Sequence, residues 1–142
     1  MRPPPRVGPG GLKVLDASVA IDMLGESATG ATAAAIVANE RLIVPAHFDA
    51  EVYAAFRRLF RRKLVDRARL DIITSRLIAL AAERVALAPL LPEVHRLADR
   101  LSAADGFYVA LARARGAQLL TADAALARAA SGLADVQLVR AG

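Results

Sequence analysis

The chain has no cysteine, only two lysines and two histidines in 142 residues, and no long uninterrupted apolar run. Without cysteine there is no thiolate nucleophile, no Cys-ligated zinc and no iron–sulfur cluster, and the composition fits a reducing compartment. The most apolar stretch is broken by Arg76, Glu83 and Arg84, short of the roughly 18 residues that a membrane span needs. The opening residues, Met1-Arg2-Pro3-Pro4-Pro5-Arg6-Val7-Gly8-Pro9-Gly10, contain no apolar core of signal-peptide length. We expect a flexible lead-in over 1–11, one domain over 12–142 and a cytoplasmic location. Neither GxxxxGK[ST] nor GxGxxG occurs, which disfavours P-loop and dinucleotide-binding enzymes. A phospho-accepting receiver domain needs an acid after its middle strand and a lysine on a late one; Leu87-Ala88-Pro89 has no acid, and Lys13 and Lys63 are misplaced.

What is present is alanine, arginine and a sparse set of acids. Much of the 56% hydrophobic fraction is alanine, so helices should predominate. A chain of this length can bury a core without staples. The formal charge is +5, almost all of the positive side from arginine. Polyanions are plausible partners, although GC-rich codon usage would inflate arginine and alanine equally well.

Apolar periodicity predicts strands at Leu12–Leu15, Leu42–Val44 (stopping at Pro45), Arg84–Leu87, Ala117–Leu120 and Val136–Val139. It predicts helices at Ser18–Leu24, Ala31–Ala38, His47–Lys63, Asp66–Ala82, Pro92–Leu101, from Ser102 to Arg115, and at Ala122–Ala130. Gly25 and Gly30 should flank the link between the first two helices, and Gly116 should end the one begun at Ser102. Strands separated by helices imply a parallel sheet between helical layers.

Asp16 closes the first strand, Asp123 follows the fourth, and Glu51 and Asp105 lie in the opening turns of helices. In an open α/β sheet ligands bind beyond the carboxyl ends of the strands, where strand order reverses. Carboxylates gathered there suit a hard cation such as Mg²⁺ or Mn²⁺. Each acid also has a plainer reading. Ser102-x-x-Asp105 resembles a capping box, Asp123 could favour a helix dipole, and Asp16 could sit in solvent beside a capping Ser18. Glu51 has inward-looking neighbours, and a charge near a packed face is rarely buried unless paired or metal-bound. One site would account for all four.

Val14-Leu15-Asp16-Ala17-Ser18-Val19, Asp49-Ala50-Glu51-Val52, Leu101-Ser102-Ala103-Ala104-Asp105-Gly106-Phe107-Tyr108-Val109-Ala110-Leu111-Ala112 and Leu119-Leu120-Thr121-Ala122-Asp123-Ala124-Ala125-Leu126-Ala127 resemble, in order and spacing, the motifs of PIN-domain ribonucleases, VapC-type toxins above all. The resemblance covers about Leu12 to Val139 and implies a PIN-like three-layer α/β/α sandwich with strand order 3-2-1-4-5. It implies a metal-dependent endoribonuclease, the toxin of a toxin–antitoxin pair, with an RNA substrate, a VapB-type antitoxin and a homodimeric state. Asp16, Glu51, Asp105 and Asp123 fall on the family's metal-binding acid positions, with Asp16 and Asp105 the expected principal ligands. Ser18 and Thr121 fall on the supporting polar positions. Gly106 stands where family members often carry alanine.

Arg57, Arg58, Arg61 and Arg62, followed by Lys63, form a run unrelieved by acids on the helix that carries Glu51. Such a run repels itself unless an anion lies near, and it is a candidate phosphate-contacting surface; a solvated face is the alternative. His47 and His95 permit a metal-free acid–base mechanism, but His47 reads more simply as a helix-start residue and His95 as helix surface. A non-catalytic PIN-like module that binds RNA or a partner is the competing function; the presence of all four acids counts against it.

Overall fold

The computed structural model describes residues 11–141, so the expected lead-in lies, but for Gly11, outside the described residues. Five parallel strands form one sheet in the order β3-β2-β1-β4-β5: β1 (Leu12–Leu15), β2 (Arg41–Pro45), β3 (Ala82–Val85), β4 (Gln118–Thr121) and β5 (Val136–Leu138). The chain starts in the middle, builds outward to β3, then returns to the other side of β1 to lay down β4 and β5. Strand order therefore reverses between β1 and β4, which pair from Lys13 opposite Gln118 to Leu15 opposite Leu120. The three inner strands are mainly apolar on both faces, because helices cover the sheet above and below, and the Lys13 ammonium of β1 is met by Gln118 of β4. Successive residues Val14 and Leu15, and again Leu119 and Leu120, are fully buried.

Seven α-helices among the described residues connect the strands: α1 (Ala17–Leu24), α2 (Ala28–Val37), α3 (Phe48–Arg61), α4 (Arg67–Ala79), α5 (Leu91–Arg96), α6 (Ala103–Arg115) and α7 (Ala124–Ala130). Helix α1 packs on α2, α3 and α4, while α6, backed by α5, lies on β1, β2 and β4. The inward side of α3 is Phe48, Val52 and Phe56, as its spacing requires, with Leu59 and Phe60 partly buried beside them. Helix α6 is capped as its sequence indicates: the Ser102 hydroxyl accepts from the Asp105 N–H at 3.2 Å, and Gly116 ends it in the left-handed region at φ 58°.

Several boundaries differ from the periodicity. Helix α4 stops at Ala79, and β3 begins two residues before the expected Arg84. The cause is Arg84, whose guanidinium is fully committed. It donates to the Leu77 and Leu80 carbonyls at the end of α4 and to the Ala82 carbonyl, and it grips Asp49 of α3 through two hydrogen bonds of 3.1 and 2.9 Å. Strand β2 includes Pro45 as its last residue, where no N–H is required of it; the next N–H, of Ala46, donates to Val85. Pro89 and Pro92 start a 3-10 turn (Ala88–Leu90) and then a short α5 that ends at Arg96, well before Leu101.

Gly30 lies inside α2, not in the link before it, since Ser27 caps that helix by accepting from the Gly30 N–H. Its lack of a side chain is a packing requirement: a Cβ there would sit 2.0 Å from the Asp22 carbonyl oxygen of α1. Backbone cannot step aside as a flexible side chain can. Gly30→Ala is expected to lower unfolding free energy by about 2 kcal/mol or more, the scale of overpacking in a close-packed interior. Urea denaturation would measure it, and a neutral or stabilising result would mean that α1 and α2 can separate freely.

Candidate active site

Asp16 is the first residue beyond β1. Its N–H donates to the Leu120 carbonyl of β4 at 2.9 Å, and its carbonyl accepts from Val19 to begin α1, so the residue is held at the seam where strand order reverses. The side chain is only 6% exposed. Its Oδ2 accepts from Ser18 Oγ at 2.5 Å and from Thr121 Oγ1 at 2.9 Å. Each of these hydroxyls is itself oriented by a backbone donor, Ser18 by the Ala122 N–H at 2.9 Å and Thr121 by the Asp123 N–H at 3.0 Å. The hydroxyl protons are thereby directed at Asp16. Burial pushes the Asp16 carboxyl above its ordinary range, the two hydroxyls pull it back, and the charges of Asp105 and Glu51 push it further up.

Glu51 stands in the first turn of α3. Its Oε1 accepts from the Tyr108 hydroxyl of α6 at 2.7 Å and lies 3.3 Å from His47 Nε2. The same imidazole nitrogen is 3.2 Å from the Ala104 carbonyl oxygen. Both neighbours are acceptors, so Nε2 carries the ring proton. The His47 ring also packs on Phe107 and Tyr108, with centroids 5.2 and 5.0 Å apart. Burial, with Glu51 next to it, drives the Tyr108 hydroxyl far above its ordinary pKa and keeps it a donor.

Asp105, half-buried in the first turn of α6, is pushed up by burial, then by the charges of Asp123 and Glu51, against the lowering influence of Ser102 and His47. Asp123 is exposed and caps α7, its Oδ1 accepting from the Ala125 and Leu126 N–H groups at 2.9 and 3.2 Å. The four acids thus share one rim and feel one another's charge. Among the described residues, Asp16 and Asp123 each engage one carboxylate oxygen with two donors, Glu51 engages one with the Tyr108 hydroxyl, and all three leave the other oxygen without a protein hydrogen bond.

No three of these groups close into a compact cage among the described residues. The donor set still fits a divalent ion of the Mg²⁺ kind, which keeps several waters and takes one or two carboxylates; it does not fit tetrahedral zinc. The ion pairs support that fit. Glu26, Asp49, Asp71, Glu83 and Glu93 each pair with an arginine, whereas none of the four rim acids has an arginine or lysine partner among the described residues. In a chain with 19 lysines and arginines, the rim carries uncompensated negative charge.

The arginine run divides in two. At about 100° per residue, Arg58 and Arg62 continue the stripe of α3 that carries His47 and Glu51, about 10 and 16 Å along it, while Arg57 and Arg61 turn aside. Arg57 lines a groove of about 580 Å³ between α3 and α4, with Tyr53, Phe60 and Leu70. All four arginines are exposed and lie beyond the acid rim, not in it.

The partners of Glu51 are absent from the sequence reading. His47 occupies the N-cap position of α3, yet its side chain makes no cap hydrogen bond and turns to Glu51 instead. The one available signal is its i,i+4 spacing. Tyr108 lies in the core, with its hydroxyl reaching Glu51. His95 is exposed on α5, as expected of helix surface.

A PIN domain family model matches residues 13–132. Ribonuclease VapC12 of Mycobacterium tuberculosis is 34% identical over 126 residues, 89% of this chain and 98% of that protein. Ribonuclease VapC3 of the same organism is 37% identical over 117 residues, 82% of this chain and 85% of that one. Among solved structures, VapBC2 from Rickettsia felis, bound to a DNA fragment from their promoter, shares the fold with a TM-score of 0.64 at 14% identity, covering 91% of this chain and 99% of that one.

The raised carboxyl of Asp16 has a signed consequence. A group whose native pKa lies above its unfolded value opposes folding once it ionises, and the penalty grows as pH climbs from about 4 through the native value. Asp16→Asn keeps an oxygen for Ser18 and Thr121 and removes the charge. In chelator, the variant is expected to melt at or above the wild type at pH 7, with the gap closing toward pH 4. A gap that widens on acidification would contradict the assignment.

Proposed function

The chain belongs to the PIN-domain family, alongside VapC ribonucleases, and we propose that residues 12–142 act as one domain, a metal-dependent endoribonuclease that is the toxin of a toxin–antitoxin pair. The observation that carries the reading is the strand-end Asp16, buried under two directed hydroxyls at the sheet's switch point, with Asp105 and Glu51 near enough to raise its carboxyl and Asp123 acting in turn on Asp105. Asp16 and Asp105 are the proposed principal metal ligands, and Glu51 and Asp123 would hold a second ion or the waters around the first.

Bound there, Mg²⁺ or Mn²⁺ would supply charge neutralisation at the scissile phosphate and an activated water. The protein's own part is positional. Ser18 and Thr121 hold one oxygen of Asp16 and leave the other toward the rim. Glu51 and Asp123, each with one oxygen engaged, can orient a water by accepting its proton. Arg58 and Arg62, on the Glu51 side of α3, and Arg57 and Arg61 beside them are proposed to hold the RNA backbone, which places the strand but does not read its bases.

A small antitoxin is the proposed regulator, in keeping with the VapBC name of the similar solved structure, and a homodimer is the proposed assembly. A net-basic protein with a locally acidic site is inhibited most directly by a basic side chain laid into the rim. A toxin–antitoxin complex with the rim uncovered would rule out that mode.

Purified protein should cut RNA in Mg²⁺ or Mn²⁺ and not in chelator. Asp16→Asn, Glu51→Gln, Asp105→Asn and Asp123→Asn should each lower the rate roughly 100-fold or more, the scale of losing one preorganised electrostatic group, with unchanged circular dichroism. Wild-type rates in two of them would defeat the reading, and cutting that persists in chelator would bring a histidine mechanism forward. For the RNA surface, binding should weaken with salt, and glutamine at Arg57, Arg58, Arg61 and Arg62 should reduce the log K against log salt slope by about 0.7 for each phosphate no longer neutralised. An unchanged slope would remove those arginines from the interface.

A further inference from the structure

Glu51 Oε1 meets the Tyr108 hydroxyl of α6 and, one turn back at the start of its own helix, the His47 ring, and both contacts tie it to the helix that carries Asp105. Tyr108, 1% exposed, is the largest fully buried side chain, yet its hydroxyl reaches Glu51 Oε1 at 2.7 Å. His47 brings Nε2 to 3.3 Å from the same oxygen and 3.2 Å from the carbonyl of Ala104, the residue before Asp105. One ring therefore bridges the acid-bearing turn of α3 and the acid-bearing turn of α6. Its other nitrogen, Nδ1, is buried with no hydrogen-bond partner among the described residues, a cost that a ring free to rotate toward solvent would not bear. The ring's orientation is set by what Nε2 holds.

We propose that Tyr108 and His47 are positioning residues for Glu51: the Tyr108 hydroxyl occupies Oε1 and the His47 ring, anchored on Ala104, confines that oxygen, so that Oε2 is the one presented to the acid rim, as a one-oxygen ligand or water-orienting group. The proposal rests on the metal-dependent reading of the rim. A free glutamate has three side-chain torsions to freeze; a donor on a buried tyrosine and the packed ring of a histidine meet that ordering cost during folding, before any ion arrives. An Oε1 already accepting from Tyr108 also disfavours two-oxygen chelation by Glu51, which suits an ion that keeps its waters more than one that collects many oxygens.

Tyr108→Phe tests this with almost no change of volume. Mn²⁺ binding is measured by calorimetric titration of the full chain without RNA, for wild type, Tyr108→Phe, Glu51→Gln and the double variant, with apo melting temperatures alongside. Tyr108→Phe should weaken Mn²⁺ about 10-fold or more, as losing the partner of a metal-binding group does, while the apo protein melts within a few degrees of wild type. In the Glu51→Gln background it should cost nothing further. In RNA cleavage at saturating metal, kcat should fall with KM unchanged. Equal Mn²⁺ affinity in wild type and Tyr108→Phe would overturn the proposal. So would an equal loss with and without Glu51, which marks a purely structural role, or a wild type that binds no Mn²⁺. A wild type that binds Mn²⁺ but leaves RNA intact would sink the ribonuclease reading alone, since the affinity comparison still decides this one.

Discussion

The seam between β1 and β4 governs this molecule. A carboxylate placed there with no partner would be among the costliest groups a sheet could bury, yet Asp16 sits in it at 6% exposure. What makes it tolerable is a relay of four donors: backbone N–H groups of Ala122 and Asp123 orient the Ser18 and Thr121 hydroxyls, which converge on Asp16 Oδ2. Polarised in sequence, such hydrogen bonds strengthen one another. The relay works only if α1, the end of β4 and the cap of α7 keep their relative places, so the geometry of the acid and the pairing of the two strands are one constraint.

The charge layout follows the same division. Outside the rim, Glu26, Asp49, Asp71, Glu83 and Glu93 are neutralised by arginine, with Asp49 and Arg84 the most elaborate case, whereas Asp16 and Glu51 in the rim are held by hydroxyl donors. Neutral donors fix an oxygen without cancelling its charge. A salt bridge in the rim would have stabilised the apo fold and left less field for a cation; without one, mutual repulsion adds to burial, the larger cause, in raising the carboxyls of Asp16 and Asp105.

The alternation of strands and helices and the placing of Asp16, Glu51, Asp105 and Asp123 at element ends were legible because they rest on features that a linear chain carries openly, apolar runs, acids at their ends and a cap such as Ser102, while the strand order followed from the resemblance of the motifs to the PIN family. Element ends were less so. Strand β3 and the end of α4 are set by Arg84, whose five donors serve carbonyls and an acid that only the folded chain brings near it. Gly30 resembles a linker glycine because close approach to the Asp22 carbonyl has no local signature. Tyr108 and His47 are hidden for a related reason. A tyrosine inside an apolar helix and a histidine at a helix start have ordinary explanations, and only their meeting across the chain, with Tyr108 57 residues from Glu51 and His47 57 from Ala104, distinguishes them.

That wide separation along the chain also sets when the rim can exist. Asp16 leaves the ribosome early, but its hydroxyl partner Thr121 lies 105 residues further on, and Asp105 and Asp123 also come from the last third of the chain. Until β4 has been made and slotted beside β1, the nascent protein holds one stranded aspartate and no rim. In a protein that assembles this way, the acid rim and the β1–β4 seam come into being together, late in the chain's own synthesis.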